Sequence, residues 1–278
     1  MTAYDIPTER PATNRSAQWF GAWRPRVSFS GFVPYLLPAG AIAIWQLLSS
    51  IGWISGRIMP APSDVVVAFI DQLSSGELLR DIAVSGGRAL AGLIVGGSIG
   101  LALGIANGVS KLSEQLTDTT LQMLRTIPHL AMIPLVILWF GIGEESKLFL
   151  TSLGVLFPIY LNTFHGVRNV DRDLLEMGRI YGMSGWTLFR KVILPGALPS
   201  IFVGLRYALG IMWLTLIVSE SIAASSGIGQ MANEAREFMM TDVVVLALLI
   251  YAALGKLADV IARSLERRTL SWNPAYQK

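Results

Sequence analysis

An all-α integral membrane protein with six transmembrane helices is the fold class this sequence predicts, on three observations. Of 278 residues, 53% are hydrophobic and only 15% are charged, against about 25% charged in an ordinary soluble domain. The mean hydropathy is +0.54, which over such a length points to a chain solvated by lipid. Six apolar stretches, 31–52, 89–109, 121–141, 148–167, 197–218 and 243–262, reach the roughly 20 residues a helix needs to cross a bilayer. Helices are required because hydrocarbon offers no partner to a free N–H or C=O, and the alternating pattern of a membrane barrel is absent.

Taken in order, residues 1–30 are polar, with Pro7, Pro11, Pro25 and the basic Arg10, Arg15, Arg24 and Arg26. They lack the apolar stretch and cleavage site of a secretory signal peptide, so a cytoplasmic N-terminal tail is expected. After the first span comes Met59-Pro60-Ala61-Pro62-Ser63-Asp64. Ser63 or Asp64 is positioned to N-cap an external helix through VVVAFIDQLSSGELL, which is too mixed to span.

The second span carries Gly92, Gly96, Gly100, Gly104 and Gly108, one every fourth residue. That spacing lines one helix face with small residues and lets another backbone approach closely. Static packing is the plainer reading of this face; sliding against a neighbour during gating is the functional one. The third span holds Pro128 and Pro134, each of which removes a backbone bond and clashes with the preceding turn, so a kink or break is expected. Arg125 and His129 stand four apart there and share a face. Either they meet an anionic substrate on a translocation pathway, or they pair with carboxylates or lipid phosphate near the interface. Arg206 in the fifth span is a third pathway candidate, with a helix–helix salt bridge as its alternative. A loop over 225–242 is expected outside.

Basic residues set the orientation. With the N-terminus inside, the cytoplasmic segments hold fourteen Lys and Arg and the external ones four (Arg57, Arg80, Lys147, Arg236), the other four lying in or beside spans. Both termini are therefore expected in the cytoplasm. So is the segment 168–196 between the fourth and fifth spans. The chain divides into the tail 1–30, one transmembrane domain over 31–262 and a C-terminal tail 263–278, with no internal repeat of the kind that marks inverted-repeat carriers.

Several chemistries are excluded by what is missing. Cysteine is absent and only His129 and His165 represent histidine, so no metal site and no membrane enzyme is expected. A carrier working on an ion gradient would need acidic relays within its spans, and only Glu220 and Asp259, near span ends, are available. No GxxxxGK[ST] phosphate loop occurs, so any dependence on ATP must come from another subunit.

The segment 168–196 reads RNVDRDLLEMGRIYGMSGWTLFRKVILPG. Ser184-Gly185-Trp186-Thr187 opens a short helix that Leu194-Pro195 is expected to end before the fifth span, and its apolar side chains suit either a groove on a partner or the headgroup layer. Glu176, Gly182 six residues later, and Leu194-Pro195 have the spacing of the loop by which ABC importer permeases engage their ATPase. That signature would place Ala-Ala after the Glu, where this chain has Met177-Gly178, and Ile two residues before the Leu, where it has Val192. From about Pro34 to Trp272-Asn273-Pro274-Ala275-Tyr276, runs such as QMLRTIPHLAMIPLVILWFGIGEESK and VILPGALPSIFVGLRYALGIMWLTLIVSE resemble the permeases for aliphatic sulfonates. These belong to the nitrate, sulfonate and taurine branch of binding-protein-dependent ABC importers.

The resemblance implies a type I importer permease fold and a homodimer of six-span subunits in the bacterial inner membrane. It also implies a cytoplasmic ATPase dimer carrying the ATP and Mg, and a periplasmic sulfonate-binding protein. This chain itself would hold no cofactor, contact no nucleic acid and have no catalytic residue. Glu176, Gly182, Leu194 and Pro195 carry over to the coupling loop, with Trp186 on its short helix; a substrate site does not carry over. Aliphatic sulfonate as cargo, in preference to taurine or nitrate, rests on the resemblance and not on charge.

Overall fold

The computed structural model describes residues 33–56 and 58–273. The N-terminal tail 1–30, residues 31 and 32, Arg57 and the last five residues lie outside the described residues. All regular structure among the described residues is helical. In chain order the helices are α1 (Val33–Ser50), α2 (Pro62–Ser74), α3 (Glu77–Val109), α4 (Lys111–Arg125), α5 (Ile133–Phe140) and α6 (Glu144–Arg168). They continue with α7 (Arg172–Ile180), α8 (Gly185–Leu188), α9 (Leu194–Ala223), α10 (Ile228–Glu237) and α11 (Thr241–Thr269).

Four helices, α3, α6, α9 and α11, are long and apolar enough to cross a membrane among the described residues. A bent pair makes a fifth crossing if its two arms count as one span. The helix α4 meets the 3-10 turn His129–Met132 and α5 at 79°, and Pro128 and Pro134 account for the break expected there. The sixth apolar segment, α1, is shorter. Successive crossings alternate in direction, so α3 and α6 run parallel, with the bent pair returning between them.

Four features differ from the sequence expectation. Ala61, not Ser63 or Asp64, is the N-cap of α2. Pro62 occupies the first helical position, where its missing N–H costs nothing, and Asp64 accepts the Ala61 N–H at 3.2 Å. The helix α2 stops at Ser74, where Gly76 turns the chain with φ +79°; Glu77-Leu78-Leu79 therefore begin α3. The segment 225–242 is not an open loop. It contains α10, whose Ile228, Met231 and Ala235 lie three and four apart and are buried. At the far end α11 runs past Ala262 to Thr269, and Leu270 is fully buried, so the residues after 262 begin as helix.

Two of the three apolar clusters among the described residues join the long helices, the third tying α5 to α6 at Ile133, Val136 and Leu150. One joins Ala89 of α3, Val155 and Ile159 of α6, and Ala208, Met212 and Leu216 of α9. The other gathers α2, α10 and the first half of α11 around Ile228, Ala247 and Tyr251. At the centre is α6: 56% of its most apolar stretch is buried, against 17% for α11. It lies between α3 and α9.

Candidate functional site

The contact of α3 with α6 is made by glycines. A Cβ on Gly92 would stand 2.5 Å from the Thr151 methyl, on Gly100 2.5 Å from the Leu156 carbonyl oxygen, and on Gly104 2.6 Å from the Thr163 Cβ. On Gly96 it would run into the Ser152 carbonyl, and on Gly108 it would meet Val167 at 2.6 Å. Partner positions advance along α6 as the glycines advance along α3, so the parallel helices touch backbone to backbone over more than four turns. Gly204 on α9 meets Asn162 of α6 in the same way, with 2.6 Å to its Cβ.

Charged groups cluster at the end of the bundle away from α7 and α8. The Arg88 guanidinium makes two 2.6 Å bonds to Glu144 through Nε and Nη2, and its Nη1 donates to Glu220 at 2.7 Å and to the Ser226 carbonyl at 2.6 Å. The Glu220 carboxylate also accepts from Ser85 Oγ, the Gly229 N–H and the Tyr251 hydroxyl. Lys147 Nζ donates to Glu144 at 3.1 Å. Two cations and two carboxylates thus neutralise one another, as burial of charge requires. The Gly227 turn that leads into α10 closes over them, where a Cβ would stand 2.7 Å from Glu220 Oε1. Arg88 and Glu220 both lie in or beside apolar stretches, and nothing in the sequence joins them. They are 132 residues apart, and a lone charge in an apolar stretch carries no sign of its partner.

The three pathway candidates separate. Arg206 projects from α9 toward α11, where its Nε donates to Asp259 at 3.1 Å and its Nη1 lies 3.7 Å from Glu266. Arg125 and His129 come together on a cavity of about 420 Å³ between the bend, α6 and α9, walled by Leu153, Phe157, Val203 and Ile211. His129 Nε2 lies 3.0 Å from the Thr215 hydroxyl, which ties the bend to α9. Asn162 and Tyr207 supply further polar groups to this cavity, and nothing in the sequence singled out Tyr207.

At the opposite end from the charge cluster, α7 and α8 form a compact corner. Asp171 caps α7 by accepting the Asp173 N–H at 2.9 Å. At the other end Gly182, with φ +70°, closes a Schellman turn: its N–H bonds the Arg179 carbonyl and the Met183 N–H bonds the Gly178 carbonyl. Ser184 then caps α8 through the Thr187 N–H. Gly178 is buried where α8 folds back on α7, and a Cβ there would stand 2.5 Å from Leu188 Cδ1, whose side chain would have to turn aside. Glu176 is exposed. The corner leaves large apolar groups in solvent: Ile180 is 85% exposed, Tyr181 76% and Trp186 70%.

Leu194-Pro195 does not end the short helix, as the sequence suggested. The chain passes from α8 through a π turn, Phe189–Ile193, straight into α9, with the Leu194 N–H bonded to the Phe189 carbonyl. Widening the turn accommodates the Pro195 ring, which an unbroken α-helix would press against the carbonyl four residues back. The corner and α9 therefore form one mechanical piece. Trp272, beyond α11, lines a groove with Met177, Tyr181 and Pro195.

The profile of the binding-protein-dependent transport system inner membrane components matches residues 96–271, which includes the corner, the cavity and the C-terminal part of α3. The chain belongs to this family. Transport across a membrane, not catalysis, is thus the business of this permease. It is 62% identical to the putative aliphatic sulfonates transport permease protein SsuC of Escherichia coli strain K12, over 87% of this chain and 92% of that protein. Identity to the protein of the same description in Bacillus subtilis strain 168 is 46%, over 87% and 88%. The taurine transport system permease protein TauC of Escherichia coli strain K12 is 33% identical, over 85% and 88%. Among solved structures, a chain of the inward-facing MetNI methionine ABC transporter matches at TM-score 0.50 and 19% identity, covering 68% of the permease and 94% of that chain. This last likeness is one of fold.

Proposed function

We propose that the permease carries aliphatic sulfonates inward across the bacterial inner membrane as the membrane component of an ABC importer. The observation that carries the cargo is the 62% identity to the sulfonate permease relative, set against 33% for the taurine one. Residues 31–262 form the spanning domain of a homodimer, with both tails and the α7–α8 corner in the cytoplasm. ATP and Mg are bound by a separate ATPase pair, and a periplasmic binding protein delivers the sulfonate.

The corner is the coupling element. Exposed Ile180, Tyr181 and Trp186 fit a groove on the ATPase. The π turn passes a push on α8 into α9, which borders the cavity at Val203, Tyr207 and Ile211. Glu176, Gly182, Leu194 and Pro195 shape this element, and Arg125 and His129 line the pathway. Arg206 clamps α9 to α11, and Gly92 through Gly108 let α3 and α6 move as one.

The test is uptake of labelled alkanesulfonate by cells making the permease with its ATPase and binding protein, compared with Gly182→Trp. Uptake that requires the ATPase and is lost in the inserted variant supports the reading. Uptake of taurine or nitrate in place of alkanesulfonate overturns the cargo, and uptake indifferent to the loop change overturns the coupling assignment.

A further inference from the structure

Three arginines lie in or beside the spans, and the structure gives them different states of charge compensation. Arg88 is held by Glu144 and Glu220, and Arg206 by Asp259 and Glu266. Arg125 forms no ion pair with a carboxylate among the described residues, and it faces the cavity between the bend, α6 and α9. Arg125 is exposed, so its guanidinium stands at the open side of the cavity, where its forked donors are free to meet an anion. No Asp or Glu lines this cavity, so an anion entering it meets no opposing charge.

The rest of the lining fits the other half of an amphiphile. Leu153, Phe157, Val203 and Ile211 present hydrocarbon, and Tyr207 and Asn162 stand among them as uncharged hydrogen-bonding groups. A volume of about 420 Å³ lies within the usual range for a small-molecule site. Its walls are held in place: His129 is tied to Thr215, and Gly154 leaves only 2.9 Å between its missing Cβ and the Thr215 hydroxyl.

We propose that this cavity is a binding site for the alkanesulfonate within the permease itself, with Arg125 on the sulfonate and the α6–α9 wall on the alkyl chain. The proposal rests on the cargo reading above and adds a selectivity of the membrane subunit separate from that of the binding protein. A sulfonate is a permanent anion with three acceptor oxygens, which suits the forked donors of a guanidinium. The alkyl chain gains from each methylene moved out of water. Taurine carries an ammonium group where propane-1-sulfonate carries a methyl. In this cavity that ammonium lies near a guanidinium and finds no carboxylate, so the site selects against it.

Equilibrium binding to the full-length permease with its ATPase in lipid nanodiscs, without binding protein, tests this. Labelled hexanesulfonate is displaced by unlabelled methane-, propane- and hexanesulfonate and by taurine. Affinity should rise about fourfold per methylene from methane- to propanesulfonate, and taurine should compete at least about tenfold more weakly than propanesulfonate. Arg125→Gln should lose about ten- to a hundredfold at every chain length, the scale of hydrogen bonds to a charged group, and Arg125→Lys less. Val203→Trp, which fills the alkyl end, should weaken hexanesulfonate and spare methanesulfonate; it also guards against misreading an unfolded Arg125 variant.

No measurable binding to the unsubstituted permease, affinities indifferent to chain length, or Arg125→Gln within twofold of it each overturn the site. If the complete system still imports alkanesulfonates in that event, only this inference falls. If the complete system imports a different anion and not alkanesulfonates, the cargo reading falls and the site's assignment falls with it.

Discussion

Placing a methyl group on Gly96 tests whether the contact of α3 with α6 carries the bundle. A Cβ there would lie 2.7 Å from the Ser152 carbonyl carbon and 2.8 Å from its Cα, with the carbonyl oxygen closer still. All three are backbone atoms of a central helix, so no side-chain rotation relieves the clash. Opening 2.7 Å to the 3.4 Å of ordinary contact separates the helices locally by about 0.7 Å, and dispersion contacts at neighbouring Gly92 and Gly100 weaken with it. Overpacking of this kind costs about 1–3 kcal/mol. For a chain of this size, each kcal/mol moves Tm by about 2–4 °C, so Gly96→Ala should lower Tm by roughly 2–12 °C. Gly87→Ala in the same helix is the control, because nothing lies within 4 Å of its added Cβ. Tryptophan fluorescence of the purified permease on heating reads both. If Gly96→Ala melts within about 1 °C of Gly87→Ala, the backbone contact does not exist as described and the reasoning fails.

Other consequences follow from the charge cluster, the corner and the clamp. Glu220→Ala strands Arg88, Ser85, the Gly229 N–H and the Tyr251 hydroxyl together; removing one partner of a buried pair costs about 3–5 kcal/mol. The variant should yield little monodisperse protein in size-exclusion chromatography, whereas normal yield and melting would refute the network's structural weight. Arg206→Gln should cost far less, because Asp259 keeps Arg263 at 2.9 Å; a loss as large as that of Glu220→Ala would contradict this ranking. Trp186→Ala removes an exposed side chain, so Tm should stay the same while ATPase stimulation by the permease drops, and unchanged stimulation would remove Trp186 from the docking surface. Gly182→Ala forces a Cβ into φ +70° at a cost of about 1 kcal/mol. Hydrogen exchange should show faster opening of the Met183 amide, and equal protection would argue against the turn.

Much of the architecture was written in local chemistry. Long apolar stretches had to be helices because lipid leaves backbone groups no other partner, and Pro128 and Pro134 had to break whatever helix held them. The four-residue glycine period marked a face for close approach, and Glu176, Gly182 and Leu194-Pro195 pointed to the corner through their resemblance to the loop of ABC importer permeases. The rest depended on residues far apart in sequence. Only the tertiary structure chose α6 as the partner of the glycine face, turned the 225–242 segment into the buried helix α10, and carried α8 into α9 through a π turn where a stop was expected. It also decided the arginines. Arg88, Arg125 and Arg206 look alike in sequence, since a side chain's charge is local while its compensation is not. Folding brought carboxylates to the first and the last, and set Arg125 against a cavity lined by none.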